Sequence, residues 1–185
     1  MVEVLDTDGR GLDSVVGFSH HAAGAASARF LLARGHRRLG YVGHAEDLDL
    51  RAAKRRAGFT DTLREAGLDW HGTEMVPGQS STGTGRAALA RLLARTPDLD
   101  AVYFSNDDMA VGGLFHCLAE GIAVPVRLAL FGFNGLEFGQ AAPLPLSTIG
   151  TPRARIGQEA ARLLCENAPP QVLDLGFDLV EGATA

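Results

Sequence analysis

The stretch covering residues 98–111, DLDAVYFSNDDMAV, constrains the fold more than any other. Its AVYF run is short and apolar, the length of a buried strand, and SNDD after it is a cluster of helix-capping residues. Met109, Ala110 and Val111 then open a helical pattern with Leu114 and Leu118. Strand, polar corner and helix in this order place side-chain oxygens and free backbone N–H groups at the carboxyl end of a strand. That is where open α/β sheets hold their ligands. The corner can equally be a helix cap and nothing more.

The same order recurs along the chain. Residues 2–5 alternate like a strand, 6–13 form a turn-rich loop, and 14–18 are a second apolar run. Ser19, His20 and His21 read as cap residues for a helix over 22–34, with Ala23, Ala26, Phe30 and Ala33 at 3-4-3 spacing and Gly35 as its stop. A strand is expected over 39–43, an acidic irregular loop over 44–50, and a helix over 51–66 ended by Gly67. A short run surrounds Met75-Val76, a polar glycine loop covers 79–85, and a helix follows over 86–95. After a helix over 109–120, a strand is expected over 128–133 and a loop or short helix over 134–140. The prolines at 143 and 145 exclude regular structure there, whereas Pro152 suits the first turn of a helix to about residue 167. Residues 147–149, 171–175 and 177–180 read as extended. Strands and helices alternate at roughly 30 residues per unit, which implies an α/β fold with a parallel sheet covered by helices on both faces.

The 185 residues suffice for one domain or two small lobes, and the net charge of −5 argues against this chain holding nucleic acid or an anionic membrane by bulk electrostatics. No apolar run approaches ~18 residues, so no spanning helix is expected, and MVEVLDTDGR does not have the make-up of a secretion signal. Cys117 and Cys165 stand far apart in expected helices and read as reduced core residues. These features point to a cytoplasmic protein. His20, His21, His36 and His44 follow spacings of 1, 15 and 8 with no recurring ligand pattern, so no metal site is expected. GTGR at 83–86 lacks the Lys-Ser/Thr of a phosphate loop, and no serine sits in a Gly-x-Ser-x-Gly elbow. No catalytic constellation and no cofactor motif emerge.

The linked motifs carry a resemblance. GFSHHAAGAASARFLLARGHRRLGYVG, RRAGFTDTLREAGL, DAVYFSNDDMAVGGLFHCLAEGIAVP and LALFGFNGLEFGQAAPLPLSTIGTPRARIGQEAARLL follow one another as they do in the LacI/GalR family of bacterial transcriptional regulators. The resemblance covers nearly the whole chain, and GFNG followed by TPRARIG is similar to the gluconate-repressor branch. It implies a periplasmic-binding-protein-like α/β fold with one lobe nearly complete and the other fragmentary. The expected division is residues 1–37 as a remnant of the N-terminal lobe, 38–145 as the C-terminal lobe, 146–167 as a return to the first lobe and hinge, and 168–185 as C-terminal-lobe strands. The implied function is effector sensing and dimerisation in a regulator. Its partners would be a small sugar or a sugar acid such as gluconate, a second copy of itself, and operator DNA through a helix-turn-helix headpiece that this sequence does not show. A sugar-binding protein of a transport system is the alternative on the same fold.

The resemblance also nominates residues. Arg55 would face the cleft, where a guanidinium pairs bidentately with a carboxylate or vicinal oxygens, though Arg51, Lys54 and Arg56 beside it read as solvated helix residues. Asn106 offers a donor and an acceptor to a sugar hydroxyl, or it caps the following helix. Asn134 stands where many relatives carry Asp; losing that charge favours an anionic ligand, while Asn-Gly is also an ordinary turn. Arg153 could join Arg55 in clamping a carboxylate, since a cation in a first helical turn opposes the helix dipole. Asp6 would accept hydroxyl bonds and Phe18 would stack on a sugar face, against the simpler readings of a loop cap and a core aromatic.

Overall fold

A computed structural model describes residues 1–9, 11–45, 49–166 and 169–185. Residue 10 of the first turn, 46–48 of the acidic loop, and the expected helix end at 167 lie outside the described residues. Nine strands and six helices follow one another among those described. They are β1 (Val2–Val4), β2 (Ser14–Gly17), α1 (His20–Ala33), β3 (Leu39–His44), α2 (Leu50–Glu65), β4 (Gly72–Val76), α3 (Thr82–Arg95) and β5 (Ala101–Phe104). Then come α4 (Asp107–Ala119), β6 (Ala129–Phe131), α5 (Glu137–Gln140), β7 (Thr148–Gly150), α6 (Arg153–Cys165), β8 (Val172–Asp174) and β9 (Asp178–Val180).

The larger body is a parallel sheet ordered β4-β3-β5-β6. Its inner strands are buried on both faces, so they read as continuous apolar runs rather than alternating ones. Leu39, Tyr41, Ala101, Tyr103 and Phe131 meet Phe30, Leu31, Phe59 and Leu63 of α1 and α2 on one face. Val42, Val102, Phe104 and Leu130 meet Leu89, Leu92, Met109 and Leu114 of α3 and α4 on the other. Each helix pair crosses with backbones in near contact: a Cβ on Gly24 would lie 1.8 Å from the Arg55 carbonyl oxygen, and one on Gly112 would lie 2.0 Å from that of Thr82. Only glycine permits such an approach.

The smaller body is the parallel sheet β1-β2-β8, with α6 packed on β1 and β2. The chain passes between the bodies three times. It goes through residues 17–19, through β7, and back through β9, which pairs antiparallel with β7. The tail then binds the larger body, where Thr184 Oγ1 donates to the Leu130 carbonyl and accepts from Ser147 N–H.

Several expectations shift. α3 begins at Thr82, because Ser81 and Thr84 form a reciprocal capping box that takes part of the expected glycine loop into the helix. α4 begins at Asp107 behind an Asn106 cap. Cys117 is buried, with burial pushing its thiol up to about 11, but Cys165 is exposed and not a core residue. α1, expected within the remnant 1–37, packs on α2 and the four-stranded sheet; β8, expected with the C-terminal lobe, pairs with β2.

Candidate functional site

A cavity of about 160 Å³ opens where the carboxyl ends of the larger sheet meet the smaller body. Leu5 and Phe18 reach it from the smaller body and the first crossing, and His20 from the start of α1. Asp49, Arg51 and Arg55 come from α2 and its cap, Asn106 and Phe133-Asn134 from the loops after β5 and β6, and Thr151 and Arg153 from the second crossing. Five of the six nominated residues are therefore brought together. Asp6 is not among the lining residues: its carboxylate accepts from Lys54 Nζ at 2.6 Å and from Asp8 N–H at 2.9 Å. Burial pushes that carboxyl up, but these bonds together with the nearby positive charge of Lys54 hold it below the usual range.

Arg55 is 4% exposed, and its surroundings are specific. Nη1 donates to His20 Nδ1 at 3.0 Å, and Nη2 donates to the Ser105 carbonyl at 3.0 Å. The guanidinium lies 3.8 Å over the Phe133 ring, a cation–π contact. The nearest carboxylate oxygen in the described structure is Asp49 Oδ2 at 3.9 Å, and Arg55 Nε has no hydrogen-bond partner among the described residues. Asp49 is mainly a cap, accepting the N–H groups of Arg51 and Ala52. Among the described residues this buried cation thus has one loose counterion. Arg51 and Arg153 add charge at the rim, so the cavity is cationic in a chain whose net charge is −5.

Asn106 takes up the cap role and also stands at the cavity wall. Oδ1 accepts from Met109 N–H at 3.0 Å as the α4 cap, and Nδ2 donates to Ser80 Oγ at 2.8 Å while the residue lines the cavity. Asn134 sits at φ 126, a region that L residues rarely adopt, and such strain clusters at functional positions. Its backbone holds the second crossing: N–H donates to the Ile149 carbonyl, and its carbonyl accepts from Thr151 Oγ1. Phe18 packs tilted against His20 with centroids 4.6 Å apart and edge-on to Phe177 at 6.2 Å. Behind this wall, the buried Asp107 carboxylate accepts from Leu136 N–H and Thr148 Oγ1, tying the corner to β7; burial raises its pKa despite these bonds.

His20 departs furthest from expectation. Ser19, not His20, caps α1 by accepting from Ala22 N–H. The His20 side chain is buried and extends the inner stripe of α1 by one step, since His20, Ala23, Ser27 and Phe30 are spaced 3-4-3. That spacing was the available clue. Burial, then the Arg55 charge, lower its pKa to about 4, against Asp6 and the Leu5 carbonyl bond. Asp49 and Arg51 had no clue beyond their place at a helix start.

Ser105, His44 and Asp49 make a line that could pass for a hydrolytic triad, with His44 3.2 Å from Ser105 Oγ and 3.7 Å from Asp49 Oδ2. Ser105 is buried, does not line the cavity, and also reaches Met109 sulfur at 3.4 Å. It cannot act as a nucleophile on a ligand there. Among the described residues no three His, Cys, Asp or Glu side chains are grouped to hold a metal, and no helix is long and apolar enough to cross a membrane.

Comparison with known proteins agrees with this architecture. The periplasmic binding protein-like domain matches residues 28–184. The transcriptional regulator GntR of Pseudomonas aeruginosa is 43% identical over 97% of this chain and 53% of its own length. A LacI-family regulator structure from Silicibacter pomeroyi is 37% identical with a TM-score of 0.95, covering 99% of this chain and 57% of that one. The regulator CelR, solved as a cellobiose complex, is 26% identical with a TM-score of 0.85, covering 100% of this chain and 58% of that one. The chain spans about half the length of the curated relatives it matches. With its two parallel-stranded bodies and its similarity to LacI-type regulators along nearly all its length, the chain belongs to the periplasmic binding protein-like domain family.

Proposed function

We propose that this chain is the effector-binding core of a LacI-type transcriptional regulator and that its effector is a sugar acid of the gluconate class. The observation that carries the reading is Arg55: a buried guanidinium at a cavity, facing no carboxylate closer than 3.9 Å among the described residues. A buried cation without a close partner is costly, and a ligand carboxylate would supply the missing charge and accept its remaining N–H groups. Arg51 and Arg153 at the rim favour the same charge sign. Asn106, Asn134 and Thr151 supply the donors and acceptors a polyol chain needs, and Phe18 an apolar face.

The cavity draws on both bodies, so a ligand that fits one arrangement better than another shifts the population between them. In the whole regulator that shift would reach operator DNA through a helix-turn-helix segment, in a cytoplasmic homodimer. The packing of α1 on α2 favours placing the first lobe boundary at residues 17–19 rather than 37–38. Calorimetry with gluconate and its uncharged amide tests the reading. Gluconate should bind more tightly than gluconamide, and Arg55→Met should weaken gluconate by about a hundredfold, the equivalent of two charge-assisted hydrogen bonds. Equal affinity for acid and amide would overturn the sugar-acid assignment.

A further inference from the structure

We infer that His20 is the positioning residue of this site: its imidazole accepts a hydrogen bond from Arg55, donates one to the Leu5 carbonyl, and so fixes the guanidinium relative to the smaller body. The inference rests on the reading of Arg55 as the carboxylate grip.

The two bonds leave the ring no freedom. Nε2 lies 2.9 Å from the Leu5 carbonyl oxygen, which can only accept, so Nε2 carries the proton. Nδ1 lies 3.0 Å from Arg55 Nη1, which can only donate, so Nδ1 is bare. The neutral Nε2–H tautomer is the one form that satisfies both neighbours; an imidazolium would point a second N–H at the guanidinium. The ring is 3% exposed and held between Phe18 and Phe133, with centroids 4.6 and 5.7 Å away. Phe133 is also the ring under the Arg55 guanidinium. One aromatic thus supports both partners of the bond.

The contact joins two bodies. Leu5 follows β1 in the smaller sheet and sits at φ 78, an uncommon conformation for leucine. Arg55 belongs to α2 of the larger body. His20 spans them with one five-membered ring, so any displacement of Leu5 against α2 must strain or break one of the ring's two bonds. The charged groups facing His20 are Arg55 and Arg51 from α2 and Asp6 from the first loop, the last paired with Lys54. Burial and the two arginines, against the pull of Asp6, keep the imidazole neutral down to about pH 4, so the bond persists throughout the neutral range.

His20→Leu removes donor and acceptor at similar volume, and His20→Gln restores both on neighbouring atoms. Calorimetry at pH 7.5 should show gluconate weakened at least tenfold in His20→Leu, gluconamide changed less than twofold, and most of the gluconate affinity regained in His20→Gln. Equal losses for acid and amide, or no loss, would mean that His20 merely fills space. A second arm needs no ligand: ¹⁵N NMR should show His20 as the Nε2–H tautomer, titrating well below 6.5, with its titration raised in Arg55→Met. An Nδ1–H tautomer, or titration unmoved by Arg55→Met, overturns the inference. Should the unsubstituted chain not distinguish gluconate from gluconamide, the sugar-acid reading fails and the NMR arm alone decides the role of His20.

Discussion

Arg55 could not be told from Arg51, Lys54 and Arg56 by the residues around it, since all four lie within two turns of one helix. What separates it is Gly24 and His20, more than thirty positions earlier, which bring α1 against α2 and bury that one side chain. The family pattern nominated Arg55; its local sequence did not. Asn106 was legible on its own terms because a strand followed by Ser-Asn-Asp-Asp leaves few other sites for a cap. Asn106→Ala should cost about 1 kcal/mol in urea unfolding, while Asn106→Asp should hold the cap and stay near the parent. His20 brings a pH dependence. Its pKa is about 4 folded against an ordinary 6.5, so the unfolded chain takes up its proton first as the pH falls. The stability tied to neutral His20 is complete above about pH 6.5 and lost as the pH falls toward 4. Melting temperature should fall more steeply over that window in the parent than in His20→Gln; parallel curves would refute the assignment.

Elements were placed well by periodicity and poorly at their ends. The expected start of α3 was late because its glycines were counted as loop, whereas the Ser81–Thr84 box makes Thr82–Gly85 helical. One of those glycines is needed for packing: a Cβ on Gly85 would lie 2.3 Å from the Met109 carbonyl oxygen. The other helix pair depends on Gly24 and Gly58 in the same way. Gly24→Ala should force α1 from α2 and destabilise by about 1–3 kcal/mol, and it should weaken ligand binding too because the displaced turn of α2 carries Arg55. Asp107 links two elements that are distant in sequence. Asp107→Ala leaves Leu136 N–H without its side-chain acceptor and Thr148 Oγ1 with only the longer contact to the Ile149 carbonyl at 3.4 Å, and should cost about 1–3 kcal/mol, more than Thr148→Val, as read from urea midpoints.

At the scale of the molecule, alternation gave the parallel sheet, but no local pattern could show that β8 returns to β2 or that the strand order is β4-β3-β5-β6. Those pairings are set by which apolar faces are left uncovered once the helices are laid down. The two bodies should differ in resilience. β3 and β5 lie inside a sheet buried on both faces, whereas β1 and β8 are the partly exposed edges of a three-stranded sheet packed by α6. Backbone amides of β1, β2 and β8 should exchange with deuterium before those of β3 and β5; the reverse order would contradict the packing. The three passages between the bodies also set a timetable. Ser14 and Gln171 meet across β2 and β8 although 157 positions separate them. At synthesis rates of about 5–20 residues per second, β2 waits on the order of ten to thirty seconds for its partner to be made. The larger sheet, whose strands all lie between, can close during that wait. A nascent chain therefore carries a closed four-stranded sheet beside an apolar strand with one side open. That interval is when the open side of β2 is most exposed to pairing with another chain.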